Sequence, residues 1–105
     1  MRRIDTRTRR TFFEIVGETP RSQAATMVLE PGRSTGDDEN RHPDSDQWLY
    51  VVSGRGEALV EDEAVELAPG TLLLIEADEA HEIRNPGPDP LVTINVYAPP
   101  AFDEE

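Results

Sequence analysis

The chain contains neither cysteine nor lysine. The first absence rules out disulfides, thiolate zinc sites and cysteine nucleophiles together, so any bound metal must take its ligands from nitrogen and oxygen. Long apolar runs are missing as well. No stretch approaches the roughly 20 apolar residues of a membrane-spanning helix, and residues 1–18 lack the apolar core of about 7–15 residues that a secretory signal needs. A cytoplasmic protein without a membrane partner is therefore expected. No nucleophile elbow, phosphate-binding loop or dinucleotide fingerprint is present. Hydrophobic residues make up only 36% of 105 positions, so one core is available and burial must concentrate in a few strands.

Charge is plentiful but unevenly placed. Residues 1–10 carry five arginines and one aspartate, whereas residues 11–105 carry five arginines against 21 acids, leaving that stretch at −16. A body so acidic repels nucleic acid, and no nucleic-acid partner is expected. The organisation read from this pattern is an Arg-rich arm over residues 1–10, one domain over 11–100 and an acidic tail over 101–105. The acid clusters at 37–39, 61–63 and 78–79 fall at expected turns and read as solvated faces rather than catalytic pairs.

Apolar alternation and β-branched or aromatic clusters recur between turn signals, and no window repeats at helical spacing. The expected strands cover 11–16, 23–30, 47–53, 57–61, 64–67, 71–75, 81–84 and 91–97. Turns are expected at 17–20, 31–32, 53–56, 62–63, 69–70 and 85–90, on Gly, Pro, Asn and Asp. Eight short strands at such spacing describe an antiparallel all-β sandwich or jelly-roll barrel. The polar stretch 32–41 is too long for a hairpin and is expected to be a mobile loop beside a site.

Only two histidines occur, His42 and His81. Asn40, Arg41 and His42 are followed by four residues, Gln47, six residues and Gly54. Further on, Pro69-Gly70 leads through the apolar run 72–75 and the turn 76–79 to His81, with Asn85 four positions later. These two spacings resemble the two motifs of the cupins. That family has two histidines one residue apart, a glutamate and a glycine in the first motif, and a Pro-Gly turn, a histidine and an asparagine in the second. The likeness spans Asn40 to Asn85 in its motifs and roughly 11–100 in its strands.

The resemblance implies a double-stranded β-helix, or jelly-roll barrel, holding one divalent metal ion between His42, Gln47 and His81, with Asn40 as a fourth ligand position. Asn40 stands where the family has its first histidine and Gln47 where it has the glutamate. An amide oxygen ligates hard or borderline divalent ions, and small cupins with glutamine at that position are part of the resemblance. Nickel, zinc, iron and manganese are all compatible with such donors. Neutral ligands leave the ion's charge uncompensated, so the centre should attract a small anionic or enolisable molecule. Asp44 and Asp46 are the neighbouring groups that could orient the imidazoles.

Strand parity adds detail. With Gln47 inward, Leu49, Val51 and Ser53 share its face, and Trp48, Tyr50 and Val52 face outward. That outward set is apolar enough to call for a cover, and a homodimer is expected. His81, Ile83 and Asn85 share a face, with Asn85 fixing the turn that follows. The leading functional expectation is a metal-dependent enzyme, a dioxygenase, isomerase or sugar-ring-opening type, acting on a small molecule. Its rival is a non-catalytic binding or sensing protein using the same pocket.

Overall fold

A computed structural model describes residues 1–8, 11–36 and 41–102. A short 3-10 turn, Thr6–Thr8, precedes eight strands: β1 Phe13–Thr19, β2 Ser22–Leu29, β3 Asp46–Ser53, β4 Gly56–Val60, β5 Glu63–Leu67, β6 Leu72–Ile75, β7 His81–Arg84 and β8 Leu91–Ala98. They form two antiparallel sheets, one in the order β1-β2-β8-β3-β6 and one in the order β5-β4-β7. The expected all-β jelly-roll class is therefore the observed one. Among the described residues, no helix is long and apolar enough to cross a membrane.

Alternation along the strands builds the core. Residues of β8 are buried at every second position from Leu91 to Tyr97, and those of β3 at Gln47, Leu49 and Val51. Leu29, Leu49, Val51, Ala58, Ile83 and Leu91 pack together between the sheets. The other face of β3 carries Trp48, Tyr50 and Val52, and β6 beside it carries Leu72 and Leu74; all five are exposed. Register places Trp48 opposite Leu74 and Tyr50 opposite Leu72, so the apolar side chains form one continuous patch.

Two local expectations are corrected. The first strand starts later than position 11 and runs on through Gly17 to Thr19, residues read from sequence as a turn. A bulge between Ile15 and Gly17 lets the strand continue, and the reversal falls at Pro20-Arg21, closed by Thr19 against Ser22. Thr19 Oγ1 accepts from the amides of Arg21 and Ser22, which satisfies that turn without a glycine. A second bulge lies between Val51 and Ser53. It shifts parity by one, so Ser53 is exposed rather than inward.

Gly54, the glycine of the first motif, has φ +83°, and a Cβ there would lie 2.1 Å from the Pro90 carbonyl oxygen. Both the left-handed backbone and the close approach of the following loop exclude a side chain. Asn85 holds that loop. Its Nδ2 donates to the carbonyls of Leu29 and Asp89, and its Oδ1 accepts from the Gly87 amide, as the sequence reading expected of it.

The stretch after β2 is less free than expected. Gly32 and Thr35 donate backbone hydrogen bonds to Asn85 and Ile83, and Arg33 accepts one from Asn85. Thr35 Oγ1 also accepts from the Ile83 amide. Residues 32–35 are thus fastened to the β7 segment, while 37–40 lie outside the described residues.

Candidate metal centre and pocket

The polar end of the barrel interior is set by strand register. Tyr97 of β8 lies between Gln23 of β2 and Gln47 of β3, and Asn95 lies between Ala25 and Leu49. Alternation thus turns Gln23, Gln47, Asn95 and Tyr97 inward where the same strands elsewhere turn leucine and valine. All four are buried.

The loops bearing the two histidines are tied to each other. The Asp78 amide donates to the His42 carbonyl over 2.8 Å, Arg41 Nη1 donates to the Asp78 carbonyl over 3.0 Å, and Asp46 Oδ1 accepts from the Ala77 amide over 2.9 Å. Asp78 turns the chain with φ 68°, a left-handed conformation that aspartate adopts more readily than most residues. These bonds bring the turn before His81 against the segment that carries His42. The two ring centroids are 5.2 Å apart, inclined at 40°.

His81 is oriented by a backbone group. Its Nδ1 lies 3.0 Å from the Glu79 carbonyl oxygen, which accepts only, so the neutral ring carries its hydrogen on Nδ1 and its lone pair on Nε2. Burial lowers the pKa of His81 against a smaller opposing pull from the Glu79 carbonyl and carboxylate. The pKa of His42 is lowered by burial and by the proximity of His81. Both imidazoles are therefore biased toward the neutral form that ligates metal. Neither Asp44 nor Asp46 bonds an imidazole: the described carboxylate oxygen of Asp46 is spent on Ala77, and the backbone at Glu79 takes the orienting role for His81.

A chain of hydrogen bonds fixes which atom Gln47 leaves free. The Met27 carbonyl can only accept, so Thr93 Oγ1 donates to it over 3.1 Å. Thr93 then accepts from Asn95 Nδ2 over 3.0 Å, which turns Asn95 Oδ1 toward Gln47 Nε2 at 2.9 Å. Gln47 Oε1 remains, buried and without a hydrogen-bond partner. A buried acceptor left open in this way is costly unless something else occupies it.

His42, Gln47 and His81 line one cavity of about 220 Å³, together with the hydroxyl-bearing Thr35 and Tyr97. The rest of its wall is apolar: Phe12, Phe13, Met27, Ile83 and Phe102. Burial pushes the Tyr97 phenol far up, so it stays protonated. Of the residues singled out from the sequence, the structure brings His42, Gln47 and His81 together; Asn40 lies outside the described residues. Among the described residues, no group of three or more His, Asp or Glu side chains is assembled to hold a metal. The available donors are two imidazoles and one amide oxygen, a set that fits a divalent ion of borderline hardness.

Sequence reasoning missed Asn95, Thr93, Gln23 and Phe102. For the first two a signal existed, since both are polar residues at inward positions of an otherwise apolar strand.

This barrel, with its two histidine-bearing loops laced together, is a cupin, and the family model for the cupin domain matches residues 25–97. The chain belongs to that family. Among solved structures it is similar to a protein of Bacillus halodurans, 29% identical with a TM-score of 0.86, covering 93% of this chain and 77% of that one. It is also similar to KdgF of a Halomonas species, 27% identical with a TM-score of 0.75, covering 84% and 77%. A predicted oxalate decarboxylase of Thermotoga maritima is 25% identical with a TM-score of 0.70, covering 77% and 69%. A search of the curated proteins gives no match.

Proposed function

We propose that the cavity holds one divalent metal ion through His42, Gln47 and His81, and that the protein is a metal-dependent enzyme acting on a small anionic or enolisable molecule. The observation that carries this reading is the buried Gln47 Oε1, open on the wall shared with two imidazoles. Nickel, zinc, iron and manganese suit these donors. Such an ion supplies Lewis-acid polarisation of a bound carbonyl or enolate. The chain's own contribution is to hold His81 in one tautomer, to fix the Gln47 amide and to keep Tyr97 as a neutral hydroxyl. Phe12, Phe13 and Phe102 line the same space. The likeness to a predicted oxalate decarboxylase supports an anionic substrate.

One observation favours a second reading, a binding or sensing protein without turnover: among the described residues no carboxylate lines the cavity, so no described side chain there is an evident general base. Elemental analysis of purified wild type, His42→Ala and His81→Ala tests the metal site, with stoichiometric metal in the first and loss in both variants expected. Full metal retention by either variant refutes the assignment. Screening the loaded protein for turnover of diketones, uronates and hydroxy acids separates enzyme from binding protein. A second copy of the chain is the proposed cover for the Trp48, Tyr50 and Leu74 patch, and the cytoplasm the proposed location.

A further inference from the structure

Part of the cavity wall is aromatic, and one of its rings, Phe102, packs beside His42 and Tyr97. Phe102 lies with its centroid 4.9 Å from Phe13, 5.0 Å from Tyr97 and 5.2 Å from His42. It does not rest there by ring contacts alone. Gln23, fully buried, accepts on Oε1 from the amides of Ala101 and Phe102 at 3.1 and 2.9 Å. Its Nε2 donates to the Phe102 carbonyl at 2.7 Å and to Glu18 Oε1 at 3.0 Å. Both ends of this amide are committed, and three of its four bonds grip the C-terminal segment. The pocket therefore has a built wall on this side, fixed by a residue whose polar capacity is spent on holding it.

That wall bears on the ligand. Beyond His42, Gln47 and His81, the only other polar side chains among the described residues that line the cavity are Thr35 and Tyr97, and Thr35 Oγ1 is already an acceptor for the Ile83 amide. A hexuronate brings four hydroxyls besides its carboxylate and would bury most of them against phenylalanine, each unpaired one weakening binding by about tenfold or more. A phosphate lacks its usual partner as well, because among the described residues no arginine lines the cavity and Arg41, next to His42, is engaged by Asp78. A volume of about 220 Å³ exceeds the ~150 Å³ cavity known to accept benzene. It leaves room for one ring and a small polar substituent or two.

We propose that the pocket selects a ligand whose body is a single apolar ring and whose oxygen-bearing edge faces His42, Gln47 and His81, with Phe102, clamped by Gln23, as the residue that sets this selectivity. The proposal rests on the metal-centre reading for the polar edge and on the aromatic wall for the ring. Salicylate and glucuronate are suitable probes, since each is a monoanion with a carboxylate beside a second oxygen, and they differ in the body. Calorimetric titration of the full chain, zinc-loaded and metal-stripped, with zinc content measured in parallel, is the experiment.

Zinc-loaded wild type is expected to bind salicylate at least tenfold more tightly than glucuronate. Phe102→Ala should cut the salicylate affinity at least fivefold, leave glucuronate unchanged and retain the wild-type zinc content, while Phe102→Leu should recover part of the loss. Equal affinities for the two probes, no salicylate binding at millimolar concentration, or an unchanged ratio in Phe102→Ala each overturns the proposal. A high ratio in protein that holds no zinc sinks the metal reading and leaves the aromatic selectivity standing. Retained zinc with a ratio near one does the reverse.

Discussion

The substitution Gln47→Glu probes the hydrogen-bond chain and the metal site in one protein. It changes one atom group, Nε2 to oxygen, at a position only 3% exposed, and it installs the carboxylate typical of the family's first motif. In metal-free protein the change should be harmful. Asn95 Oδ1, which accepts from Gln47 Nε2, would face an acceptor. It cannot turn over without facing Thr93 Oγ1, which is already committed to Met27. Losing this buried hydrogen bond and leaving its acceptor unpaired costs about 1–3 kcal/mol. For a domain near 100 residues each kcal/mol is worth roughly 4–8 °C in Tm.

Added metal should change the balance. A carboxylate removes one unit of the ion's charge where the amide removes none, so the variant should bind the ion more tightly. A ligand at 100 times its Kd stabilises by about 2.7 kcal/mol, enough to offset most of the loss. Differential scanning calorimetry with and without excess zinc measures both effects. The expected pattern is a lower Tm for the metal-free variant and a larger zinc-induced rise than in wild type. An unchanged metal-free Tm refutes the hydrogen-bond chain, and an equal zinc-induced rise refutes Gln47 as a ligand.

Asn85→Ala removes three hydrogen bonds, one buried and two part-buried, that join β2, the end of β7 and the loop before β8; a loss of about 2–4 kcal/mol is expected, read as a drop in Tm without change in zinc content. Leu74→Glu puts a charge opposite Trp48 on the exposed patch, and sedimentation should show a dimer in wild type and a monomer in the variant with an unaltered circular dichroism spectrum; a wild-type monomer at high micromolar concentration counts against the dimer. Burial lowers both histidine pKa values below the unfolded value of about 6.5. The unfolded chain therefore takes up protons first as pH falls. The metal-free fold should keep its full stability above that value and lose it progressively below, through the lowered folded pKa values. In His42→Phe this acid-side slope of Tm against pH should be shallower, and an identical slope would show that the imidazoles are not its source.

Apolar alternation and β-branched or aromatic clusters between turn signals exposed all eight strands, and the alternation is regular in β3 and β8, which turn every second residue into the one apolar interior. The errors lie at the two bulges. A bulge inserts one residue without altering composition, so neither the continuation of β1 through Gly17 nor the outward turn of Ser53 is written in the periodicity. Site residues were legible where local spacing carries them: His42 and Gln47 flank one strand start, and His81 opens another. Asn95 and Thr93 were legible in principle, as polar residues at inward positions of β8. Gln23 and Phe102 were not, because their contact joins residues 79 positions apart and an acidic tail gives no sign that its one aromatic side chain returns to the interior.

The polar groups and the aromatic wall of the site follow one physical rule, and that rule explains its composition. Two of the polar groups are held by a partner that leaves a single atom free: Glu79 selects Nε2 of His81, and Asn95 selects Oε1 of Gln47. For the proposed metal ion, neutral donors would suffice there because geometry, not charge, presents them. A carboxylate in place of Gln47 would have no donor to receive from Asn95, so the neutral amide is the residue compatible with the Met27-Thr93-Asn95 chain already built into the core. In the same row, across Tyr97, Gln23 applies the same logic to the backbone, using a buried amide to set a phenylalanine ring. The departure from the family's usual glutamate and the aromatic wall are thus both consequences of buried amides whose hydrogen bonds are dictated by the strands around them.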